Sequence, residues 1–345
     1  MAYKKVVLGT DGSAFARSAE RVAAGLAQMC KAKLLIVQAT ESAPNEQVLR
    51  EAAERAEAAG IKAETLVEYG GAADVLIEVA DRMDGDLIVL GSRALSERQE
   101  ILGSASRKVA HNAPCDLLLV RQRDADATYG EGDGTGASSP YHQILIATDG
   151  SSTADRASRK GFDLVSKLHT SVTLVFVGHP KTGDLVLEDT VASIGEGVDA
   201  KLHVMDGDPA EQIIAAAEMD HVDLLIVGNK GIAGVKGTLL GSIPQKVSEY
   251  APCDVLIART VTQSLDELGK NEGGIVSSGG RKVAVFRDKK GNTIALSSKC
   301  THMGCTVGWN AATKTWDCPC HGSRYAPTGE VLSGPATKPL EKTDL

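Results

Sequence analysis

Aromatic side chains are scarce in this sequence. Phe, Tyr and Trp make up 3% of the 345 residues, so Ala, Val, Leu and Ile must fill its cores. No apolar run approaches the ~20 residues that a bilayer span requires. Leu87–Leu90 and Leu224–Val227 are typical of the short runs present, and no membrane insertion is expected. A basic excess is also missing. The formal net charge is -8, with none of the clustered Lys and Arg that a polyanion binder needs, which excludes nucleic acid as the expected partner. Lys4 and Lys5 are followed by an apolar stretch that Thr10-Asp11-Gly12 cuts short; this predicts no cleavable leader and a cytoplasmic location. Two nucleotide signatures are absent. Lys236-Gly237-Thr238 is not the Gly-Lys-Ser/Thr of a P-loop, and no Gly-x-Gly-x-x-Gly follows the first strand. His111, His142, His169, His179, His203 and His221 form no His-x3-His or His-x4-His pair and read as solvated or core residues.

What the sequence does have is repetition. Thr10-Asp11-Gly12-Ser13 recurs as Thr148-Asp149-Gly150-Ser151 at an offset of 138. Leu102-Gly103-Ser104 recurs as Leu240-Gly241-Ser242, and Ala113-Pro114-Cys115-Asp116 as Ala251-Pro252-Cys253-Asp254, at the same offset. Asp86–Gly91 recurs as Asp223–Gly228 at 137. Four landmarks in one order define two repeats, at 1–123 and 141–262. The polar, Gly-, Asp-, Ala- and Ser-rich residues 124–140 read as a linker. Each repeat alternates short apolar runs such as Val6–Leu8, Leu34–Val37 and Leu117–Val120 with helical stretches such as Glu46–Ala59, which Gly60 stops. That alternation predicts an α/β fold with parallel sheets and right-handed crossovers. Lys181–Gly197 has a weaker helical pattern; a shortened helix or a loop is expected there, with Asp184–Asp189 as a solvated loop.

Ligands of open parallel sheets bind beyond the carboxyl ends of the strands. The second repeat places Gly228-x2-Gly231-x9-Gly241-Ser242 there. Glycines let backbone N–H groups approach phosphate, and Ser242 is expected to cap the next helix, with Pro244 in its first turn. Asp149 ends the first strand of this repeat at the same edge, placed to accept from ribose hydroxyls or to hold a metal on the phosphates. This pattern resembles the nucleotide-binding branch of the universal stress protein family, over residues 1–123 and 141–260. The resemblance implies two tandem five-stranded domains of the adenine-nucleotide alpha hydrolase-like kind. It also implies pairing, either within the chain as a pseudo-dimer or between chains as a homo-oligomer. It implies an ATP site, with Mg on the phosphates, at Asp149, Val177, Gly228, Gly231, Gly241 and Ser242. Pro244 departs from the hydroxyl residue often found there. In the first repeat the corresponding residues are Asp11, Gly91, Gly103 and Ser104. Its second loop glycine is replaced by Ala94, and the loop is one residue shorter, so weaker or no nucleotide binding is expected.

Beyond residue 263 the pattern changes to antiparallel β, with strands at Lys282–Phe286 and Thr293–Leu296 around a turn at Lys290-Gly291-Asn292. Cys300, Cys305, Cys318 and Cys320 lie within 21 residues, which points to a metal site before a disulfide scaffold. The core of the string is Cys300-x-His302, fifteen residues, then Cys318-x2-His321. Two thiolates suit one iron and two imidazoles the other. Histidine in place of thiolate removes negative charge and raises the reduction potential, to about -150 to +300 mV. The string resembles the Rieske 2Fe–2S domain, over 264–345. The resemblance implies Cys300, His302, Cys318 and His321 as ligands, a Cys305–Cys320 disulfide, Ser323 and Tyr325 as hydroxyls that tune the cluster, and Gly334-Pro335 as a covering loop. A structural Cys2His2 zinc site competes for the same residues, but leaves the second cysteine pair and both hydroxyls unaccounted for. Cys30, Cys115 and Cys253 read as core thiols.

Together these features predict two tandem parallel-sheet domains followed by a small all-β Rieske domain. The expected function is that of a redox-linked stress protein that binds ATP and carries a 2Fe–2S cluster for one-electron transfer or sensing, with an unidentified redox partner. The alternative is an electron-transfer subunit of an oxidoreductase system. A Rieske oxygenase is disfavoured, since it needs a second iron held by two histidines and a carboxylate. ATP hydrolysis is not expected, because no general base accompanies the glycine loop.

Overall fold

The computed structural model describes residues 3–92, 103–122, 139–195, 197–229, 240–259, 265, 268–278, 281–302, 304, 307–310, 313–318 and 323–345. Two compact units are present, an α/β unit that ends at Arg259 and a β unit that takes in residues 260–345. Among the described residues no helix is long and apolar enough to cross a membrane.

The first repeat runs β1 (Lys5–Gly9), α1 (Ala14–Cys30), β2 (Lys33–Thr40), α2 (Glu46–Ala58), β3 (Ala63–Tyr69), α3 (Ala72–Arg82), β4 (Leu87–Ser92), α4 (Ser104–Asn112) and β5 (Asp116–Arg121). The second runs β6 (Gln143–Ala147), α5 (Ser152–Leu168), β7 (Ser171–Val177), α6 (Pro180–Ile194), β8 (Ala200–Met205), α7 (Pro209–Met219), β9 (Leu224–Gly228), α8 (Ser242–Tyr250) and β10 (Asp254–Ala258). Local chemistry sets these boundaries. Ser13 accepts from the Ala16 N–H to start α1, and Lys31 ends it in the left-handed region at φ 55°. The central strands are apolar on both sides because helices cover both faces; Val6, Val7, Leu87, Ile88 and Val89 are fully buried.

The ten strands form one sheet in the order β3-β2-β1-β4-β5-β10-β9-β6-β7-β8. Within each repeat all pairings are parallel; the junction of β5 and β10 is antiparallel, with Leu118 opposite Leu256. The two repeats are thus joined edge to edge within the chain. The seam is reciprocal. The Arg259 N–H donates to Asp116 Oδ1 at 2.7 Å, and the Arg121 N–H to Asp254 Oδ1 at 2.8 Å. The second oxygen of each carboxylate accepts from a tyrosine of its own repeat, Tyr3 at 3.1 Å and Tyr141 at 2.9 Å. Each arginine also reaches the last helix of the other repeat. Arg121 donates to the Ser248 carbonyl on α8 at 2.6 Å, and Arg259 to the Ala110 and Val109 carbonyls on α4. A cation at a helix C-terminus also complements the helix dipole. Asp116 has two further cations close by, Arg156 at 3.6 Å and Lys160 at 4.0 Å. Burial pulls the Arg259 guanidinium down to about 10.

Two expectations are corrected in the second repeat. Lys181–Gly197 does not shorten or open into a loop. It holds the fifteen-residue α6, with Pro180 in its first turn. Asp184 and Asp189 are exposed but helical. Packing overrides propensity here. A Cβ on Gly183 would lie 2.5 Å from Val204 and 2.8 Å from Phe176, so this glycine lets α6 lie close against β7 and β8. Leu187 and Thr190 are buried on the same helix.

The β unit holds an antiparallel sheet of β11 (Glu272–Ser278), β12 (Arg281–Arg287) and β13 (Thr293–Ser297), and a second of β14 (Gly308–Asn310), β15 (Thr315–Asp317), β16 (Arg324–Tyr325) and β17 (Val331–Ser333). The β12–β13 turn is held by Asp288, which accepts from the Lys290 and Asn292 N–H groups. Trp316 is fully buried and meets Trp309 edge-on, 4.9 Å between ring centres. Trp309 rests on Gly273, where a Cβ would come within 2.4 Å of the indole.

Asp116→Ala strips the seam of one carboxylate and strands the donors around it. The variant is expected to lose about 3–5 kcal/mol of stability, read by calorimetry on the full chain, and Tyr3→Phe about 1 kcal/mol. An unchanged melting temperature for Asp116→Ala would mean that the carboxylate does not hold the seam.

Candidate metal centre and nucleotide edge

In the β unit, Cys300 lies just beyond β13 and Cys318 just beyond β15. Both are buried. Tyr325 on β16 is fully buried and brings its hydroxyl 3.0 Å from Cys300 Sγ. Ser323 is fully buried; its backbone carbonyl accepts from the Cys318 N–H at 2.7 Å, and its Oγ accepts from the Ala336 N–H at 3.1 Å. That second bond ties the Gly334-Pro335 segment to the loop after β15. Gly304, at φ 71°, turns the chain back so that its N–H reaches the Cys300 carbonyl at 2.8 Å.

Burial pushes the Cys300 thiol up, but hydrogen bonds from the Tyr325 hydroxyl, the His302 N–H, the Cys318 thiol and the Ser323 hydroxyl outweigh it and hold the thiol below its ordinary value. Burial and the neighbouring sulfur raise the Tyr325 hydroxyl, which stays protonated and able to donate. The thiolate is the metal-binding form. Two adjacent buried thiols, one biased towards thiolate, with hydroxyl donors on sulfur, are a donor set that fits an iron–sulfur group. His302 lies exposed in the turn after Cys300. Among the described residues no three His, Cys, Asp or Glu side chains gather as a metal site. His321, Cys305 and Cys320 lie outside the described residues, and with them the expected disulfide.

Sequence reasoning missed Thr301. Its N–H donates to the Tyr325 hydroxyl oxygen at 3.2 Å, and its own hydroxyl donates to the Lys338 carbonyl at 2.6 Å. Spacing rules single out Cys and His and give no weight to a threonine between them.

The α/β unit places Asp149 beyond β6, Val177 at the end of β7, Gly228 at the end of β9, and Gly241 and Ser242 at the start of α8. All belong to the carboxyl edge of the second repeat; Gly231 lies outside the described residues. The expected cap at Ser242 is corrected. Gly241 has the extended backbone of the cap (φ -74°, ψ 163°), Ser242 is the first helical residue, and no side chain caps α8. An uncapped helix start leaves N–H groups for an anion. The Gly241 N–H donates to the Asn229 carbonyl at 2.8 Å, which fixes where the helix starts relative to β9.

In the first repeat Asp11 and Ser104 are exposed, and Gly103 caps α4 with open space at its Cβ position. Gly91 is different. A Cβ there would lie 2.4 Å from the Phe15 carbonyl oxygen, so this glycine is needed where the first turn of α1 crosses the end of β4. Asp11 accepts from the Ser13 N–H at 2.9 Å, and Arg17 donates to the Gly12 carbonyl at 2.7 Å. Of the other cysteines, Cys253 is buried, and burial raises the thiols of Cys30 and Cys115.

Two tandem parallel-sheet α/β repeats, followed by a small all-β unit with two buried cysteines beside a tyrosine hydroxyl, define the class of fold. Comparison with known proteins agrees. The universal stress protein family matches residues 37–121 and 181–259, and the Rieske [2Fe-2S] domain matches residues 259–344. The chain belongs to the universal stress protein family through its tandem α/β repeats and to the Rieske [2Fe-2S] family through its C-terminal domain. A universal stress protein from Archaeoglobus fulgidus superposes with a TM-score of 0.61 at 23% identity, covering 75% of this chain and 99% of that one, which shows the fold. The cytochrome b6-f complex iron-sulfur subunit of Chlorobaculum thiosulfatiphilum is 30% identical over 171 residues, 47% of this chain and 91% of the subunit. The putative Rieske 2Fe-2S iron-sulfur protein YhfW of Bacillus subtilis is 49% identical over 80 residues, but the chain spans only 16% of its length.

Ser323→Ala removes the acceptor for the Ala336 N–H. Amide hydrogen exchange at Ala336 is expected to speed up about fivefold, the equivalent of ~1 kcal/mol for one lost hydrogen bond. Unchanged exchange would mean that the Gly334-Pro335 segment is held by other contacts.

Proposed function

We propose that this chain is a redox-linked universal stress protein that binds ATP or a related adenine nucleotide through its second repeat and carries a Rieske 2Fe–2S cluster for one-electron transfer or redox sensing. The observation that carries the redox half is the Tyr325 hydroxyl 3.0 Å from the buried Cys300 sulfur. Cys300 and Cys318 would hold one iron, and His302 and His321 the other. When bound, the cluster supplies a reversible one-electron couple. Tyr325 supplies a hydrogen bond to ligand sulfur, which favours the more negative, reduced state and raises the potential. Ser323 anchors the Gly334-Pro335 segment and donates towards the same sulfur. Thr301 feeds an N–H into the Tyr325 oxygen, which leaves the tyrosine proton for sulfur. Cys305 and Cys320 would link the two loops.

Asp149, Val177, Gly228, Gly231, Gly241 and Ser242 would form the nucleotide site, with Mg on the phosphates. The uncapped start of α8 supports phosphate binding there. Gly91 of the first repeat serves helix packing, which argues for a single nucleotide per chain. The likeness to cytochrome b6-f iron-sulfur subunits favours a second reading, an electron-transfer component of an oxidoreductase system whose partner is another protein.

Dithionite-reduced protein is expected to give a rhombic EPR signal with about two irons per chain; zinc in their place would overturn the redox half. Tyr325→Phe is expected to keep the signal and lower the potential. Isothermal titration with MgATP is expected to show one site per chain, lost in Asp149→Ala; no heat from the unaltered chain would overturn the nucleotide half.

A further inference from the structure

The loop that carries Cys318 and His321 leaves β15 at Asp317 and returns to β16 at Arg324. These two residues face each other in register across the strands. The guanidinium meets the carboxylate at two points, Nε to Oδ1 at 3.2 Å and Nη2 to Oδ2 at 3.4 Å. Two more donors fix the carboxylate, Thr315 Oγ1 at 2.7 Å and Asn310 Nδ2 at 2.8 Å. The guanidinium also donates to Thr313 Oγ1 at 3.3 Å. Next to the pair, the Cys318 N–H closes on the Ser323 carbonyl at 2.7 Å.

The arginine side chain is 41% exposed and the aspartate 32%. An ion pair this open to solvent contributes little to stability, a small return for four directed bonds on one carboxylate. Its position suggests another use. A fixed negative charge one residue from a ligand cysteine opposes arrival of an electron, and a fixed positive charge three residues from a ligand histidine favours it. Net charge and hydrogen bonding around the sulfurs are main determinants of iron–sulfur potentials.

We infer that Asp317 and Arg324 form a charge-matched clasp at the base of the second cluster loop, positioning residues whose opposite charges each bear on the reduction potential of the site and offset one another there. The inference rests on the reading of Cys318 and His321 as ligands given above. It extends that reading to two side chains that touch neither ligand sulfur nor imidazole in the contacts described.

The test is a redox titration, followed by EPR, of the full chain carrying D317N, R324Q, R324K or D317N/R324Q, with iron content measured in parallel. D317N is expected to raise the potential, R324Q to lower it, R324K to lie between R324Q and the unaltered chain, and the double variant to return close to the unaltered value. A purely structural clasp loosens the loop whichever partner is removed, so both single variants moving in one direction, or neither moving, overturns the inference. Should R324Q lose its iron, the other variants decide. D317N raised with the double variant restored supports the clasp, and D317N unmoved overturns it. An unaltered chain without a Rieske signal overturns the reading beneath and the clasp with it; an unaltered chain with the signal and no opposed shifts overturns the clasp alone.

Discussion

Two buried carboxylates, Asp116 and Asp254, are the constraint on which the α/β unit depends. Each repeat ends in a strand whose outer edge is a row of unpaired N–H and C=O groups, a liability if left open to water or to other chains. Antiparallel pairing of β5 with β10 satisfies those groups. It also buries Asp116 and Asp254 at 1% and 0% exposure, which is tolerable only with partners arranged around each oxygen. Backbone N–H groups from across the seam, tyrosine hydroxyls from the same repeat, and arginines that reach the opposite helix ends supply that arrangement. Because the seam is antiparallel while each half is parallel, the carboxyl edges of the two repeats face opposite ways. The two candidate nucleotide edges are therefore kept apart on the sheet.

The repeats have diverged around that common frame. In the first, buried Glu20 accepts from Thr10 at 2.6 Å and forms a two-nitrogen contact with Arg55, locking α1 to α2 beside the loop after β1. At the matching offset the second repeat has Ser158 and Ser193. The first repeat also spends its Gly91 on helix packing against Phe15. Both helix starts, Gly103 before α4 and Gly241 before α8, lack a side-chain cap, and the sequence difference lies in the loop, where the second repeat has Gly231 and the first Ala94.

The β unit works on a smaller scale. Its strands are short, and its core centres on Trp316, Tyr325, Leu296 and the two cysteines. Sulfur, hydroxyl and backbone are packed so closely that the same bonds that stabilise the loops also bear on the Cys300 sulfur. The Tyr325 hydroxyl touches sulfur and Thr301 together, Ser323 holds the segment after Gly334, and Thr301 holds the Lys338 carbonyl. A substitution that loosens one of these loops therefore also changes the electrostatics at the site.

Much of this was legible in the order of residues. The 138-residue offset exposed the repeats, because a duplicated fold must duplicate its turns. Alternation of apolar runs with Ala- and Glu-rich stretches gave the parallel sheets, and the Cys-x-His and Cys-x2-His spacing marked the Rieske domain, because short-range geometry leaves so few ways to use those residues. Other features were decided only in three dimensions. α6 forms over a glycine- and aspartate-rich stretch because Gly183 fits against Val204 and Phe176, contacts that propensity cannot register. Gly241 rather than Ser242 caps α8 because backbone geometry, not hydroxyl chemistry, fixes that helix start. The pairing of the repeats within one chain, the Asp317–Arg324 pair and the role of Thr301 depend on residues brought together by strand pairing and loop closure. Local sequence determined which elements form and which side chains can do chemistry; long-range packing decided which of them meet.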